Sequence, residues 1–145
     1  MSLIRWKTLS LISVPAIMVS GGKDAEKSVE VLHSDGTAWC SLPDLPDDRW
    51  HHTQTGLEAC GGGGGYIGGG YMGTSCIKFS GGMWKPSHKL KKERTSHSSW
   101  AAPRGTVLMG GMENGMESGK TTELLDDTSR VSISIMHFPL KYEIW

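Results

Sequence analysis

The sequence predicts an all-β protein built from a repeated sheet unit. The pattern L-x-x-x-R-x-x-H occurs at residues 45–52 and again at residues 90–97, and Trp39 and Trp84 share the same offset of 45 (84 − 39). Twenty of the 145 residues are glycine, about twice the usual share, which is typical of a chain with many tight turns. A fixed period of about 40 to 50 residues with strands inside it is the mark of a propeller blade. The sequence therefore predicts part of a β-propeller with four-stranded antiparallel blades.

Each recurring residue type has a structural role in such a repeat. Glycine pairs end the apolar strands, where the lack of a Cβ permits positive φ and close approach of crowded inner strands. Tryptophan is large enough to fill the wedge between one unit and the next. The residues that we assign to the repeat are Gly21, Gly22, Trp39, Arg49, His52, Gly61, Gly62, Trp84, Arg94, His97, Gly110 and Gly111.

The first unit spans residues 14–48 and is a partial blade. An apolar run at 16–20 ends in a glycine pair, and residues 28–32 (SVEVL) alternate as a half-buried strand does. Asp35-Gly36 predicts a tight hairpin turn into a strand at 38–42. The segment that follows contains two prolines and is predicted to be a loop.

The second and third units, residues 49–93 and 94–138, follow the same order. Strands of the second unit are predicted at 52–57, 58–62, 74–79 and 83–86, with a glycine-rich loop at 63–73. Strands of the third unit are predicted at 97–101, 106–109, 121–125 and 131–138, with a loop at 112–120. The third unit lacks its Trp, so it is a degenerate blade, and residues 139–145 form a tail.

The N-terminal segment, residues 1–13, matches nothing else in the chain. Arg5 and Lys7 precede the apolar stretch 9–19, an order that resembles a signal peptide. The alternative is that residues 15–22 are the first strand, which the repeat supports. A leader and an unassigned segment both stay open, and with them a secreted or a cytoplasmic location.

Charge excludes some partners. Fifteen basic and fifteen acidic residues cancel, so no global field attracts nucleic acid or an anionic membrane. A basic group is interpreted as a solvated loop; its members are Lys85, Lys89, Lys91, Lys92 and Arg94. No apolar run of about 20 residues is present, so no membrane span is predicted.

Three cysteines leave at least one thiol unpaired. Cys40 and Cys60 flank the loop between the first two units, where a bridge would close about 20 residues and contribute on the order of 3 kcal/mol. The alternative is two buried free thiols. Cys76 is expected to be buried in the third strand of its unit.

Motifs for cofactors are weak, so we predict no cofactor, no metal and no catalytic residue. Residues 115–122 end in GKTT but lack the first glycine of a P-loop, and the G-x-G-x-x-G matches within 63–73 lack a following helix. A zinc site could be imagined from the cysteines with four histidines, but the repeat already explains His52 and His97. The other two histidines considered are His51 and His88.

Together these residues resemble the kelch repeat of the galactose oxidase/kelch superfamily. The pattern of that family has an Arg before the first strand, a strand ending in Gly-Gly, a V-E-V-like third strand and a Trp in the fourth. The matching positions are Arg49 and Arg94, the three glycine pairs, Val29-Glu30-Val31, and Trp39 and Trp84. The resemblance covers roughly residues 15–126 and implies a kelch-type propeller.

The chain also departs from that family. His33 and Lys78 stand where the kelch repeat has a Tyr, and fewer than three full blades are present. Galactose oxidase is a copper-radical enzyme of the same superfamily, whose site resembles two Tyr, two His and a Cys that is cross-linked to one Tyr. Tyrosines here do not match its motif; they are Tyr66, Tyr71 and Tyr142.

The resulting hypothesis is a non-enzymatic scaffold that binds another protein through its inter-strand loops. The candidate loops are 23–27, 63–73 and 112–120, which join second to third strands and should cluster on one face. Two alternatives stay open: a carbohydrate-binding or galactose-oxidase-like module on the same fold, and a truncated product with no independent function. Exposed sheet edges also predict a homo-oligomer that completes the propeller, or poor solubility.

Overall fold

The computed structural model describes residues 17–22, 24–64, 71–113, 117–118, 121–128 and 132–135. All regular structure within these residues is β-strand, so the all-β prediction is confirmed. The strands are β1 (Ile17–Ser20), β2 (Val29–Leu32), β3 (Trp39–Ser41), β4 (Thr53–Thr55), β5 (Glu58–Cys60), β6 (Gly63–Gly64), β7 (Tyr71–Met72), β8 (Ser75–Ser80), β9 (Met83–Lys89), β10 (Arg94–Thr95), β11 (Ser98–Ala102), β12 (Gly105–Met109), β13 (Met112–Glu113), β14 (Glu117–Ser118), β15 (Thr122–Asp126) and β16 (Ser132–Ile135).

Three antiparallel sheets follow one another along the chain. Sheet I has the order β1-β2-β3, sheet II the order β4-β5-β8-β9, and sheet III the order β11-β12-β15-β16. Each is a meander, because every strand pairs with the one that precedes it in its sheet. The predicted four-stranded antiparallel unit is therefore present twice, and a three-stranded unit precedes it.

Burial along the second strand of sheets II and III shows which neighbouring sheet each face of the sheet contacts. Ala59 and Leu108 stand two residues before their glycine pairs, are 0% exposed, and each packs in a cluster with the preceding sheet. Cys60, one residue later than Ala59, packs with sheet III instead. Since side chains alternate along a strand, sheet II has one face toward sheet I and the other toward sheet III.

Two apolar cores lie between these facing sheets. Junction 1, between sheets I and II, contains Val29, Leu45, Ala59 and Ile77, with Met18, Leu42 and Trp84 packed against them. Junction 2, between sheets II and III, contains Cys60, Cys76, Leu90, Leu108 and Leu125. The repeated leucines, Leu45 and Leu90, occupy one core each, and burying each contributes roughly 2 kcal/mol.

The two repeated tryptophans have different surroundings. Trp84 contacts the ring of Phe79 and donates its indole N–H to the Pro43 carbonyl over 2.9 Å, so it fills junction 1 as expected. Trp39 is 51% exposed, and the prediction that it fills a wedge is wrong for the described part of the chain. Trp39 pairs with Leu32 on the face of sheet I that points away from sheet II, where no described sheet lies.

Short ladders form at both ends of loops predicted to be irregular. β6 pairs with β7 inside 63–73, and β13 pairs with β14 inside 112–120. In addition, β10 pairs with β13. Two-residue ladders leave no periodicity in a sequence, which is why the pattern did not indicate them.

Some predictions lie outside the described residues: the segments 1–13 and 139–145, the ends of the last predicted strand, and the centres of the two longer loops. None of the described elements is a helix that could cross a membrane. Boundaries of the three units remain predictions.

Candidate functional site

The repeated residues meet where one sheet joins the next. The amide of Gly22 donates to the carbonyl of Arg49 over 2.9 Å, and the amide of Gly62 donates to the carbonyl of Arg94 over 2.8 Å. The glycine pair of one unit is thus hydrogen-bonded to the Arg-x-x-His segment of the next unit, in the same way twice.

Only glycine fits the second of these pairs. Gly61 and Gly62 have φ of +63° and +88°, which L-residues rarely adopt. A Cβ on Gly61 would lie 2.7 Å from Cε1 of His97, and one on Gly62 would lie 2.7 Å from Cβ of His52. The glycines therefore make room for a histidine from each side of the joint.

Both repeated arginines are buried and donate to strand carbonyls. Arg49 donates from Nη1 to the carbonyl of Gly61 at 2.8 Å and to that of Ser75 at 3.1 Å. Arg94 makes the equivalent bonds to Gly110 at 2.7 Å and Thr121 at 3.2 Å. Each guanidinium links the second and third strands of its own unit just where they diverge into the loop.

His52 is held neutral by its surroundings. The hydroxyl of Ser20 donates its single proton to Gln54, so Nε2 of His52, 3.0 Å from that hydroxyl, carries a proton and donates it. Nδ1 is then an unprotonated nitrogen, buried with no described partner. Burial first and the Arg49 charge second lower the pKa of His52 to about 4.

His97 repeats this arrangement one unit later. Its Nε2 lies 2.9 Å from the hydroxyl of Thr53. Burial, then the charges of Arg94 and His52, lower its pKa to about 4. With a pKa of about 4, both imidazoles are neutral at neutral pH, so they act there as packing and hydrogen-bonding groups rather than as general acids.

The candidate loops begin side by side on one edge of the molecule. Trp50 forms an isolated bridge with Gly63, the root of the second loop, and Thr95 pairs with Met112, the root of the third. With Gly22 bonded to Arg49, the three loop roots form one continuous edge. We call the outward-facing residues of this edge the rim; they are Asp24, Ala25, Trp50, His51, Ser96 and Met112.

The rim is built on two residues with left-handed backbone. His51 has φ of +55° and Ser96 has φ of +52°, and they occupy the same position in the repeat. The Ser96 amide donates to the His51 carbonyl over 2.8 Å, and the Ser96 hydroxyl lies 3.1 Å from Nδ1 of His51. From the sequence, His51 was considered only as a zinc ligand and Ser96 was not singled out, although the offset of 45 aligns them. Non-glycine residues in this conformation cluster at functional sites.

Aromatic and apolar groups reach solvent at the rim. The Trp50 ring packs against the His51 ring with centroids 4.7 Å apart, and Trp50 is only half-buried. Met112 is 41% exposed. Tryptophan and methionine are enriched where proteins bind other proteins.

The disulfide differs from the predicted one. Cys60 and Cys76, which pair across β5 and β8, are bonded, and Cys40 is a free, exposed thiol. The Cys40–Cys60 bridge is therefore wrong, because Cys40 lies in sheet I and Cys60 faces sheet III. Cys76 is buried as predicted.

One group of described residues contains atom types that can ligate a metal, but two of its ligand atoms are joined in the disulfide. Glu58, Cys60 and Cys76 place ligand atoms within 4.8 Å of one another. Metals bind thiolates, and the disulfide consumes both sulfurs. Glu58 already accepts from Nδ1 of His88 at 2.8 Å and from the hydroxyl of Ser87. The other histidines of the imagined zinc site are not in this group.

Other chemical motifs fall mostly outside the described residues. The centre of the glycine-rich loop, much of the GKTT segment, Tyr66 and Tyr142 are among them, as is the side chain of Tyr71. They stay weak sequence matches.

Comparison with known protein families gives no match, and comparison with curated proteins gives none either. Among solved structures, that of YjhT is similar to the chain, with a TM-score of 0.59 at 18% identity over 76% of this chain. The chain spans 38% of the length of YjhT. At this identity the likeness concerns the fold alone.

Proposed function

We propose that the chain is a segment of a kelch-type β-propeller and acts as a non-enzymatic scaffold that binds another protein through its rim. Two observations support the architecture: the three meanders pack face to face through equivalent residues, and the fold is similar to that of a solved structure, with a TM-score of 0.59. The observation that carries the function is the continuous rim, where three loop roots are hydrogen-bonded to one another and expose Trp50, His51 and Met112.

Rigidity makes this rim suited to recognition. His51 and Ser96 are fixed by mutual hydrogen bonds above buried arginines. A pre-ordered surface loses little entropy on binding, so its contacts convert more fully into affinity. Loops carried on a rigid sheet scaffold commonly supply binding specificity.

Site-specific photo-cross-linking tests the proposal. A photoreactive amino acid replaces Ser96 on the rim, and a matched variant carries it at Met83, which is 54% exposed in the β8–β9 turn away from the rim. We expect the Ser96 probe, and not the Met83 probe, to label one defined protein in an extract of the source cells. Once purified, that protein should bind the unmodified chain. Its affinity for the W50A/H51A variant should be at least tenfold lower.

Equal labelling from both positions, or unchanged affinity of W50A/H51A, would contradict binding at the rim. A glycan array and a metal assay on the purified chain separate the scaffold from the carbohydrate-binding and oxidase alternatives. Saturable binding of a sugar or of copper would favour those alternatives instead.

A further inference from the structure

The sheet at each end of the three-sheet stack exposes a largely apolar face. The equivalent faces within the stack are buried. On sheet I, Ile17 pairs with Leu32 and Leu32 with Trp39, and Val19 pairs with Glu30, so these five residues share the face that points away from sheet II. We call this set of five, four of them apolar, the leading face. Ile17 is 60% exposed and Val19 is 51% exposed.

The leading face corresponds to a buried surface on the other sheets. Val19 stands two residues before its glycine pair, as do Ala59 and Leu108, which are both 0% exposed. By strand register Glu30, which pairs with Val19, corresponds to Ile77, which pairs with Ala59 and is 4% exposed. In sheets II and III this surface is covered by the preceding sheet, and in sheet I it is open among the described residues.

Sheet III carries the opposite surface at the other end. Trp100 pairs with Val107 and Val107 with Leu124, so these three and Met109 share a face directed away from sheet II. We call this set of four the trailing face. Trp100 is 69% exposed and Met109 is 43% exposed.

The trailing face also has buried equivalents. Met109 stands one residue before its glycine pair, as Cys60 does in sheet II, and Cys60 is 2% exposed. By strand register Trp100 corresponds to Thr55, whose hydroxyl donates to Ser99 of sheet III over 2.7 Å. Within the stack, a trailing-type face always covers a leading-type face.

We propose that two copies of this chain associate head to tail, the trailing face of each covering the leading face of the other. The interface continues junctions 1 and 2 with the same sheet geometry. Two copies of the three meander sheets seen among the described residues give six, which is within the usual range of about four to eight blades for a closed propeller. A zero formal net charge produces little repulsion between copies.

The inference rests on the proposed propeller architecture but not on the rim. A head-to-tail contact uses two different surfaces on each copy, and it gives a closed dimer when the rotation closes, or a filament when it does not. Six blades close, so we expect a dimer. The exposed Trp39 and Trp100 would become buried in it.

Light scattering on the purified 145-residue chain measures the assembly directly. We expect a mass near twice the 15.7 kDa of one chain, that is, about 31 kDa. A monomer at every concentration tested, or polymers without defined size, would overturn the proposal. A monomer that still cross-links its partner through Ser96 would reject this inference and leave the proposed function standing.

Charge substitutions distinguish head-to-tail from face-to-same-face association. Val19→Glu on the leading face and Trp100→Glu on the trailing face each place a charge in both junctions of the dimer, so each variant alone should dissociate at least ~100-fold more readily. Met83→Glu, at a similarly exposed apolar residue outside both faces, is the matched control and should remain dimeric.

Mixing the two variants completes the test. In a V19E:W100E pair one junction carries both charges and the other carries none, so an equimolar mixture should recover heterodimers that neither variant forms alone. Recovery also demonstrates that both variants are folded. If one of the variants stays fully dimeric by itself, or if folded variants fail to recover on mixing, the head-to-tail arrangement is wrong.

Discussion

Junctions 1 and 2 use the same repeated residues and yet differ in their electrostatics. Ile77 pairs with Ala59 and contributes to the apolar core of junction 1. At the corresponding register position of junction 2, Glu123 pairs with Leu108, and its carboxylate accepts from Nε of Arg94 at 3.1 Å and from the Lys91 amide at 2.9 Å.

The difference teaches what the repeat specifies and what it leaves free. Arginine, glycine pair and histidine fix how two sheets meet, since both junctions keep the same backbone bonds. Positions between them decide whether the joint is apolar or charged. Pro46 occupies the position of Lys91 one period earlier and has no N–H, so junction 1 needs no acceptor there.

The largest expected effect comes from removing Arg94. Arg94→Met should lower the free energy of unfolding by about 4 kcal/mol, because Glu123 becomes an uncompensated charge whose side chain is 1% exposed. Arg49→Met, which removes hydrogen bonds to carbonyls, should cost only about 2 kcal/mol. Chemical denaturation of both variants measures the difference.

A conversion of junction 2 into junction 1 sharpens this prediction. The double variant E123I/K91P removes the Glu123 carboxylate together with the Lys91 amide that it satisfies. Arg94 then keeps its bonds to the Gly110 and Thr121 carbonyls, as Arg49 keeps its carbonyl bonds in junction 1, so the variant should cost about 2 kcal/mol, less than Arg94→Met. If E123I/K91P destabilises the chain as much as Arg94→Met does, the two junctions are not equivalent.

The glycine pairs are expected to differ in a similar way. Gly22 and Gly62 both have positive φ, but a Cβ on Gly22 meets nothing within 4 Å, whereas one on Gly62 meets His52 and the Trp50 carbonyl. Gly22→Ala should therefore cost only backbone strain, about 1 kcal/mol, and Gly62→Ala about 3 kcal/mol. Thermal unfolding of the two variants separates the cost of the steric contact from the cost of backbone strain. Equal losses of stability in Gly22→Ala and Gly62→Ala would argue against close packing at the joint.

The disulfide should stabilise the side of sheet II that faces junction 2. Replacing Cys60 and Cys76 by Ser opens a loop with a sequence separation of 16 and should cost about 3 kcal/mol. Cys40→Ser, at an exposed free thiol, should leave the unfolding midpoint unchanged. Mass spectrometry after thiol alkylation checks the pairing, and alkylation of Cys60 or Cys76 in the native chain would contradict it.

The buried histidines are expected to give both junctions a common pH dependence. The folded pKa values of His52 and His97, about 4, lie below the ordinary 6.5, so the unfolded chain binds more protons between these values. Stability is complete above pH 6.5 and falls as the pH drops toward 4, by about 2 kcal/mol for each histidine. Urea titrations from pH 7 to pH 4.5 measure the slope.

Histidine variants assign that slope. His52→Gln with His97→Gln should flatten it, whereas His33→Gln, at an exposed turn, should not alter it. A slope that survives the double substitution would belong to other groups.

The sequence was sufficient for the repeat and for most strands because period, glycine pairs and β-rich runs are local signals. The common environment of Leu45 and Leu90 followed from one offset. The disulfide did not, since Cys60–Cys76 depends on strand register rather than on spacing along the chain. The exposure of Trp39 depends on whether a sheet lies before sheet I, which no residue of that strand encodes.

Rim residues were predictable only in outline. Loops joining second to third strands were expected to cluster, and their roots do lie together, because hairpins of a meander share their ends. The place of His51 and Ser96 at this edge was not predicted, since positive φ at a non-glycine residue is imposed by the hydrogen bonds between neighbouring units. Glu123 was missed because a buried acid in an otherwise apolar strand reads as a surface position.

Nuclear Overhauser effects between the histidine and glycine of each joint test the sideways stacking of the sheets most directly. The account predicts strong cross-peaks from Hε1 of His52 to the Hα protons of Gly21, and from Hε1 of His97 to those of Gly61. A folded chain that lacks both cross-peaks would contradict the repeated joint, and with it the stacked architecture.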